Sequence, residues 1–142
     1  MSIFSVNQLF SDNQAITGTA ASTNYIDLGE PGTPPLGNQL TRDIGKGEPI
    51  HLEVMITEAF NTLTSLKVDV EVDDNTSFSS AKVVSSQTIL LADLVAGANI
   101  AHQFLPTGVD ERYLQLRYTV AGSDPTTGQI YAGISLGRQT SV

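Results

Sequence analysis

The chain has no cysteine and no tryptophan, and its seven lysines and arginines stand against fifteen aspartates and glutamates. Without cysteine there are no disulfides, thiolate metal sites or cysteine nucleophiles; the compartment stays open, because cytosolic and secreted chains alike can lack cysteine. A net charge of −8 with no basic cluster argues against nucleic acid as a partner, since that affinity rests on neutralising phosphates. No apolar run approaches the roughly 18 residues that a membrane helix needs. The opening "MSIFSVNQLF" lacks the basic and long apolar regions of a signal peptide. The expectation is a soluble protein with no membrane association, made without export information.

What is present reads as one all-β domain. With 40% hydrophobic and only 15% charged residues in 142, the chain is apolar enough to fold and long enough to bury a real core as a single domain, 1–142. "IHLEVMITEAF" alternates, with Ile50, Leu52, Val54 and Ile56 on one face and His51, Glu53, Met55 and Thr57 on the other. "LKVDVEVDD" alternates most regularly, with Leu66, Val68, Val70 and Val72 inward and Lys67, Asp69, Glu71 and Asp73 outward. "DDNTSFSSA" is a turn by its Asp, Asn and Ser content. "KVVSSQTILLADLVAGANIAHQF" holds two or three short strands broken near Asp93 and at Gly97, and "QIYAGISL" is the last strand. Seven or eight short strands with turns every ten or so residues describe a sandwich, barrel or jelly roll.

Two segments are less regular. In "SVNQLFSDNQAI", Ser5 and Gln8 fit a capping box with Val6, Leu9 and Phe10 on one helical face. Residues 1–14 also read as an N-terminal arm crossing onto a neighbour. Residues 29–49, with Pro31, Pro34, Pro35, Pro49 and five glycines, exclude a helix or central strand over most of their length. A loop that long in a compact domain is usually functional or disordered.

Candidate chemistry is thin. "GISLG" matches the nucleophile elbow around Ser135 in letters, but five residues follow Gly137 and both histidines, His51 and His102, lie upstream. The acidic run Asp69, Glu71, Asp73, Asp74 with Asn75 lacks the glycine and distal glutamate of an EF-hand loop, leaving a looser calcium site or a solvated strand end. Asp69 and Glu71 share a strand face at a glycosidase-like separation, yet neighbours on one strand do not straddle a substrate bond. His51 and His102 show no local ligand spacing, and "DIGKGEP" lacks the phosphate-loop spacing. "NTS" at residues 75–77 fits a glycosylation acceptor, relevant only to a secreted eukaryotic protein. The reading is therefore no enzyme, no catalytic residue, no cofactor and no metal.

"RYLQLRYTVAG", residues 112–122, poses a sharper question. Leu114, Leu116, Tyr118 and Val120 suffice for a half-buried strand, yet the other face carries Tyr113 and Arg117 beside Gln115 and Thr119. Tyr and Arg are enriched where protein surfaces meet. The alternative is that Arg117 pairs within its own sheet with Glu53, Asp69 or Glu71.

"RDIGKGEPIHLEV", "DDNTSFSSAKVV", "RYLQLRYTVAG" and "GQIYAGI" follow one another in an order that resembles the capsid cement (decoration) proteins of tailed bacteriophages, of the type found on a Bordetella podovirus. "LFSDNQAITGTAASTNYIDLG" fits the same pattern, so the resemblance spans nearly the whole chain. It implies a jelly-roll-like β-sandwich, extended by the 29–49 loop, on the outer capsid surface of a virion after synthesis in the host bacterial cytoplasm. The implied partner is the major capsid protein of the same virion, whose neighbouring subunits it would hold together, typically as a homodimer, although related decoration proteins form trimers. The docking candidates are then Phe4, Leu9 and Phe10 in the arm, Arg42 and Asp43 in the long loop, and Tyr113 and Arg117. A carbohydrate-binding or host-attachment β-sandwich remains the alternative, short of aromatic rings as the chain is.

Overall fold

Val68 and Val70 sit at the centre of the molecule, on the strand whose alternation is most regular. The computed structural model describes residues 4–100 and 104–135, with side chains from residue 7 onward. In chain order the strands are β1 (Phe4–Ala15), β2 (Ala20–Ala21), β3 (Ile26–Asp27), β4 (His51–Glu58), β5 (Leu63–Asp73), β6 (Lys82–Leu90), β7 (Asn99–Ile100), β8 (Tyr113–Gly122) and β9 (Gln129–Ser135). A single 3₁₀ turn, Leu91–Asp93, follows β6, and the described residues contain no α-helix.

The strands form two antiparallel sheets packed face to face. One has the order β1-β9-β4-β7; the other has β2-β8-β5-β6, with β3 also pairing β8. β5 and β6 form a hairpin within one sheet, while most other connections carry the chain across to the opposite sheet. This is the sandwich that the alternating pattern predicts, because each sheet must bury one apolar face.

The inward sets match the reading of the sequence. Leu66, Val68, Val70 and Val72 of β5 meet Leu114, Leu116 and Tyr118 of β8 on one wall, and Leu52, Val54, Ile56, Ile130, Ala132 and Ile134 line the other. β6 is an edge strand and stays largely exposed apart from Ile89. The final strand is described to Ser135; Leu136 lies outside the described residues.

The N-terminal segment corrects both sequence readings. Residues 4–15 are neither helix nor free arm but strand β1, paired with β9 through Leu9↔Gly133, Ser11↔Ala132 and Gln14↔Ile130. Register shifts fall between Phe4 and Leu9, Leu9 and Ser11, and Ser11 and Gln14, and Asn13 takes a positive φ of 48°. Each bulge resets which face the next side chain takes, so no simple alternation survives in the sequence.

The 29–49 segment has no regular structure, as its prolines require, yet it is tied to the sandwich. Arg42 donates to the carbonyls of Leu28 at 2.7 Å and Gly29 at 2.6 Å. Asp43 accepts from the Gly45 amide at 2.9 Å and the Gly108 amide at 2.7 Å. The loop backbone then presses on residues 106–107 so closely that a Cβ at Gly45 would collide with the Pro106 carbonyl. Ile44 packs against the core from this side.

Candidate interface

The outward face of the β5–β8 pair is where Tyr113 and Arg117 project, and its chemistry follows from the register. Asp73 lies opposite Tyr113, Glu71 opposite Gln115, Asp69 opposite Arg117 and Lys67 opposite Thr119. Arg117 Nε donates to Glu71 at 3.0 Å and Gln115 Nε2 donates to the same carboxylate at 2.9 Å. Lys67 Nζ lies 3.2 Å from Asp69, which also accepts from the Ser86 hydroxyl of β6. Arg117 therefore pairs within its own sheet, with Glu71 rather than with Glu53, which stands on the opposite sheet.

This face is outward but not wet. Asp69 and Glu71 are 3% and 5% exposed, covered by the long side chains that pair with them. The expectation of a solvated acidic face is corrected accordingly. Asp73 is fully buried: its carboxylate accepts from the amides of Asp74, Asn75 and Ser80 and from the Ser80 hydroxyl. Burial pushes its pKa upward, but the Ser80 bonds and those of Asp74 and Asn75 outweigh that and hold it below the usual carboxylate range. The turn that follows β5, expected as a solvated strand end, is thus folded around Asp73. Among the described residues no group of three or more His, Cys, Asp or Glu is placed to hold a metal ion.

The turn also delivers Phe78, at φ 50°, onto this side of the sheet. There the Phe78 ring lies 6.1 Å from that of Tyr25, which in turn meets Tyr113 edge-on at 5.4 Å. Arg112 stacks over the Tyr113 ring at 5.1 Å while bonding Asp27 at 3.0 Å and Glu30 at 2.8 Å. The Arg112 contact, with the Gly29 amide, holds the Asp27 carboxyl below its ordinary range. The sequence singles out neither Tyr25 nor Phe78: Phe78 lies in the Asp/Asn/Ser-rich turn, and Tyr25 precedes the two-residue strand β3, in a stretch that reads only as one or two strands rich in Thr, Ala and Ile. The only available signal was the scarcity of rings, which makes each one outside a strand notable.

The other docking candidates divide. Leu9 and Phe10 are buried, Phe10 completely, so they belong to the core of their own chain and not to a free docking arm. The Phe4 side chain lies outside the described residues, as does His102. Arg42 and Asp43 line a shallow cavity of about 250 Å³ with Thr41, Lys46 and Asp110, but their hydrogen bonds hold the loop in place. Gly108 above all, then Gly45, stabilise the ionised Asp43 against burial and lower its pKa.

The opposite sheet carries a feature that sequence spacing did not reveal. Ser135 is the cross-strand partner of His51, and Glu53 lies two residues along β4 on the same face. His51 Nδ1, Glu53 Oε1 and Ser135 Oγ are each buried without a hydrogen-bond partner among the described residues. The three residue types of a hydrolytic triad are therefore neighbours, yet the Ser135 hydroxyl makes no hydrogen bond to the imidazole.

The Bbp16 family model matches residues 10–134, from the core phenylalanine of β1 to within one residue of the end of β9. A search of curated proteins found no relative of the chain.

Proposed function

The chain belongs to the Bbp16 family, a family of Bordetella bacteriophage protein, and on that premise we propose that it is a structural virion protein: it binds the outer surface of a phage capsid and cements neighbouring major capsid subunits. The observation that carries this reading is the extent of the family match, which takes in nearly all of the described sandwich, from within β1 to within one residue of the end of β9. The geometry supports it. The long 29–49 segment is anchored at Arg42 and Asp43, and the outward face of the β5–β8 pair presents Tyr25, Tyr113 and the Arg112 guanidinium. The partner is the major capsid protein, and the free form is a homodimer.

The mechanism is area and avidity rather than catalysis. One sandwich contact need not be strong, because an oligomer that touches several subunits raises the effective concentration for each further contact. The Arg42 and Asp43 hydrogen bonds tie the 29–49 segment to the sandwich, which lowers the conformational entropy to be lost on docking.

The carbohydrate-binding alternative draws on the Tyr25–Tyr113–Phe78 group. Its rings meet at 90° and 57° and so do not form the flat platform on which a sugar stacks. The hydrolase alternative draws on Ser135, His51 and Glu53, and the missing Ser–His hydrogen bond counts against it.

Co-sedimentation of the purified protein with expanded, undecorated capsids tests the proposal, with light scattering on the free protein alongside. Saturable binding at a fixed copy ratio, with a raised capsid melting temperature, is the expected result. A well-folded protein that does not bind capsids but retains a glycan on an array would overturn it.

A further inference from the structure

Leu36 combines two unfavourable properties that no internal contact repays. The Gly37 amide donates to the Pro34 carbonyl at 3.1 Å, closing a four-residue turn with Pro35 second and Leu36 third. Proline suits the second position of such a turn, and in its type II form the third takes a positive φ that glycine or asparagine normally supplies. Here Leu36 adopts it, at φ 61°. A branched side chain is strained in that conformation. The same side chain is 110% exposed, so its apolar surface lies entirely in water.

The turn is held rather than loose. Leu40 donates to the Gly32 carbonyl at 2.9 Å and closes the base of the projection. Arg42 clamps the carbonyls of Leu28 and Gly29 just below. The two prolines stiffen the tip, and Gly37 packs so closely on Pro34 that an added Cβ would meet its ring at 2.8 Å. Leu40 is itself 57% exposed on the same projection. From Pro31 to Thr41 no side chain is ionisable, in a chain of net charge −8.

We propose that the Pro34–Gly37 turn is an apolar anchor, with Leu36 inserting into a leucine-sized apolar pocket on the capsid shell and Leu40 packing at its rim. The assignment rests on the cement reading above and names the contact that reading leaves open. A pre-ordered tip docks without an ordering cost, and its lack of charge lets it be desolvated without stranding an ion. Of the cavities among the described residues, neither the one lined by Arg42, Asp43, Lys46 and Asp110 nor the one in which Gln87, Thr88, Asp93 and Asn99 join Ile89, Leu90 and Ile100 offers a wholly apolar pocket to a second copy.

The test compares wild type, Leu36→Gly and Leu36→Met in co-sedimentation with expanded, undecorated capsids, together with thermal melts and light scattering. Glycine relieves the backbone strain while deleting the side chain, so Leu36→Gly should melt at or above the wild-type temperature. It should bind capsids on the order of tenfold or more weakly, as loss of a hot-spot side chain does, whereas Leu36→Met should retain binding. Wild-type binding with undiminished Leu36→Gly binding overturns the anchor and leaves the cement role standing. Failure of wild type itself to bind overturns the cement role and the anchor with it. A Leu36→Gly protein that falls to a smaller oligomer would assign the pocket to a second copy and overturn the capsid assignment. A markedly lower melting temperature would show that Leu36 serves the fold and overturn the anchor.

Discussion

The hydroxyl of Tyr118 on β8 lies 2.8 Å from the hydroxyl of Ser11 on β1, joining the two sheets through the middle of the sandwich. Ser11 Oγ also donates to Gln14 Oε1 at 2.7 Å. A hydroxyl has one proton to give, so Tyr118 is the donor to Ser11. Both residues are completely buried, and burial pushes the Tyr118 phenol well above the ordinary tyrosine range.

Removing either hydroxyl should destabilise the fold, by unequal amounts. Tyr118→Phe deletes a donor and leaves Ser11 bonded to Gln14, costing about 1 kcal/mol. Ser11→Ala strands the buried phenol, costing about 1–3 kcal/mol. The double variant should lose less than the sum of the two, since the pair interacts directly. Urea titration of the four proteins measures this; strict additivity would mean that the bond contributes nothing.

Arg117→Ala should lower stability before it affects any partner. It leaves the buried Glu71 carboxylate held by the Gln115 amide without the Arg117 charge, and an undercompensated buried charge of this kind costs about 1–3 kcal/mol. Tyr113→Ala, which loses an edge-on ring contact with Tyr25, should cost about 0.5–1.5 kcal/mol beyond its lost burial. Thermal melts of both variants come first, so that a change in capsid binding is not confused with a loosened sheet.

The anchoring of the 29–49 loop should weaken in acid. Asp43 has a lowered pKa in the folded chain, chiefly from the Gly108 amide. A depressed carboxylate contributes stability that is fully present above its unfolded value, about 3.9, and is lost as pH falls through the folded value. With the intrinsic pH dependence of exchange divided out, the protection factors of the Gly45 and Gly108 amides should therefore stay high at neutral pH and fall below about pH 4, ahead of those of the β5 amides. Asp43→Asn should show fast exchange at both positions already at neutral pH. Equal exchange in the two proteins would remove Asp43 from the account.

Glu53→Met should raise the melting temperature. The side chain is 6% exposed and its Oε1 has no partner among the described residues, so an apolar replacement of similar length removes an unsatisfied acceptor worth about 1–3 kcal/mol. A fall in stability would show that the carboxylate is compensated in solution.

How much was legible varied with local regularity. β4, β5, β8 and β9 could be read because an antiparallel strand with one buried face writes its position as strict alternation. β1 could not, because register shifts flank Leu9 and Ser11 and carry Phe10 inward out of phase. Tyr113 and Arg117 stood out by residue type alone, whereas Tyr25 and Phe78 became their neighbours only once the Asp73-centred turn and β3 had folded beside them.

The sequence by itself determined the fold class, the inward sets of the regular strands, the absence of thiol chemistry and the irregularity of residues 29–49. Those properties depend on residue type and short-range periodicity, which any reader of the chain has in hand. Only the tertiary structure decided that Asp69, Glu71 and Asp73 are buried, that Arg117 belongs to Glu71, that Ser135 faces His51, and that Leu36 stands alone at the tip of a clamped loop. Each of these depends on which distant segment arrives alongside, and strand pairing across tens of residues leaves no mark in the local sequence.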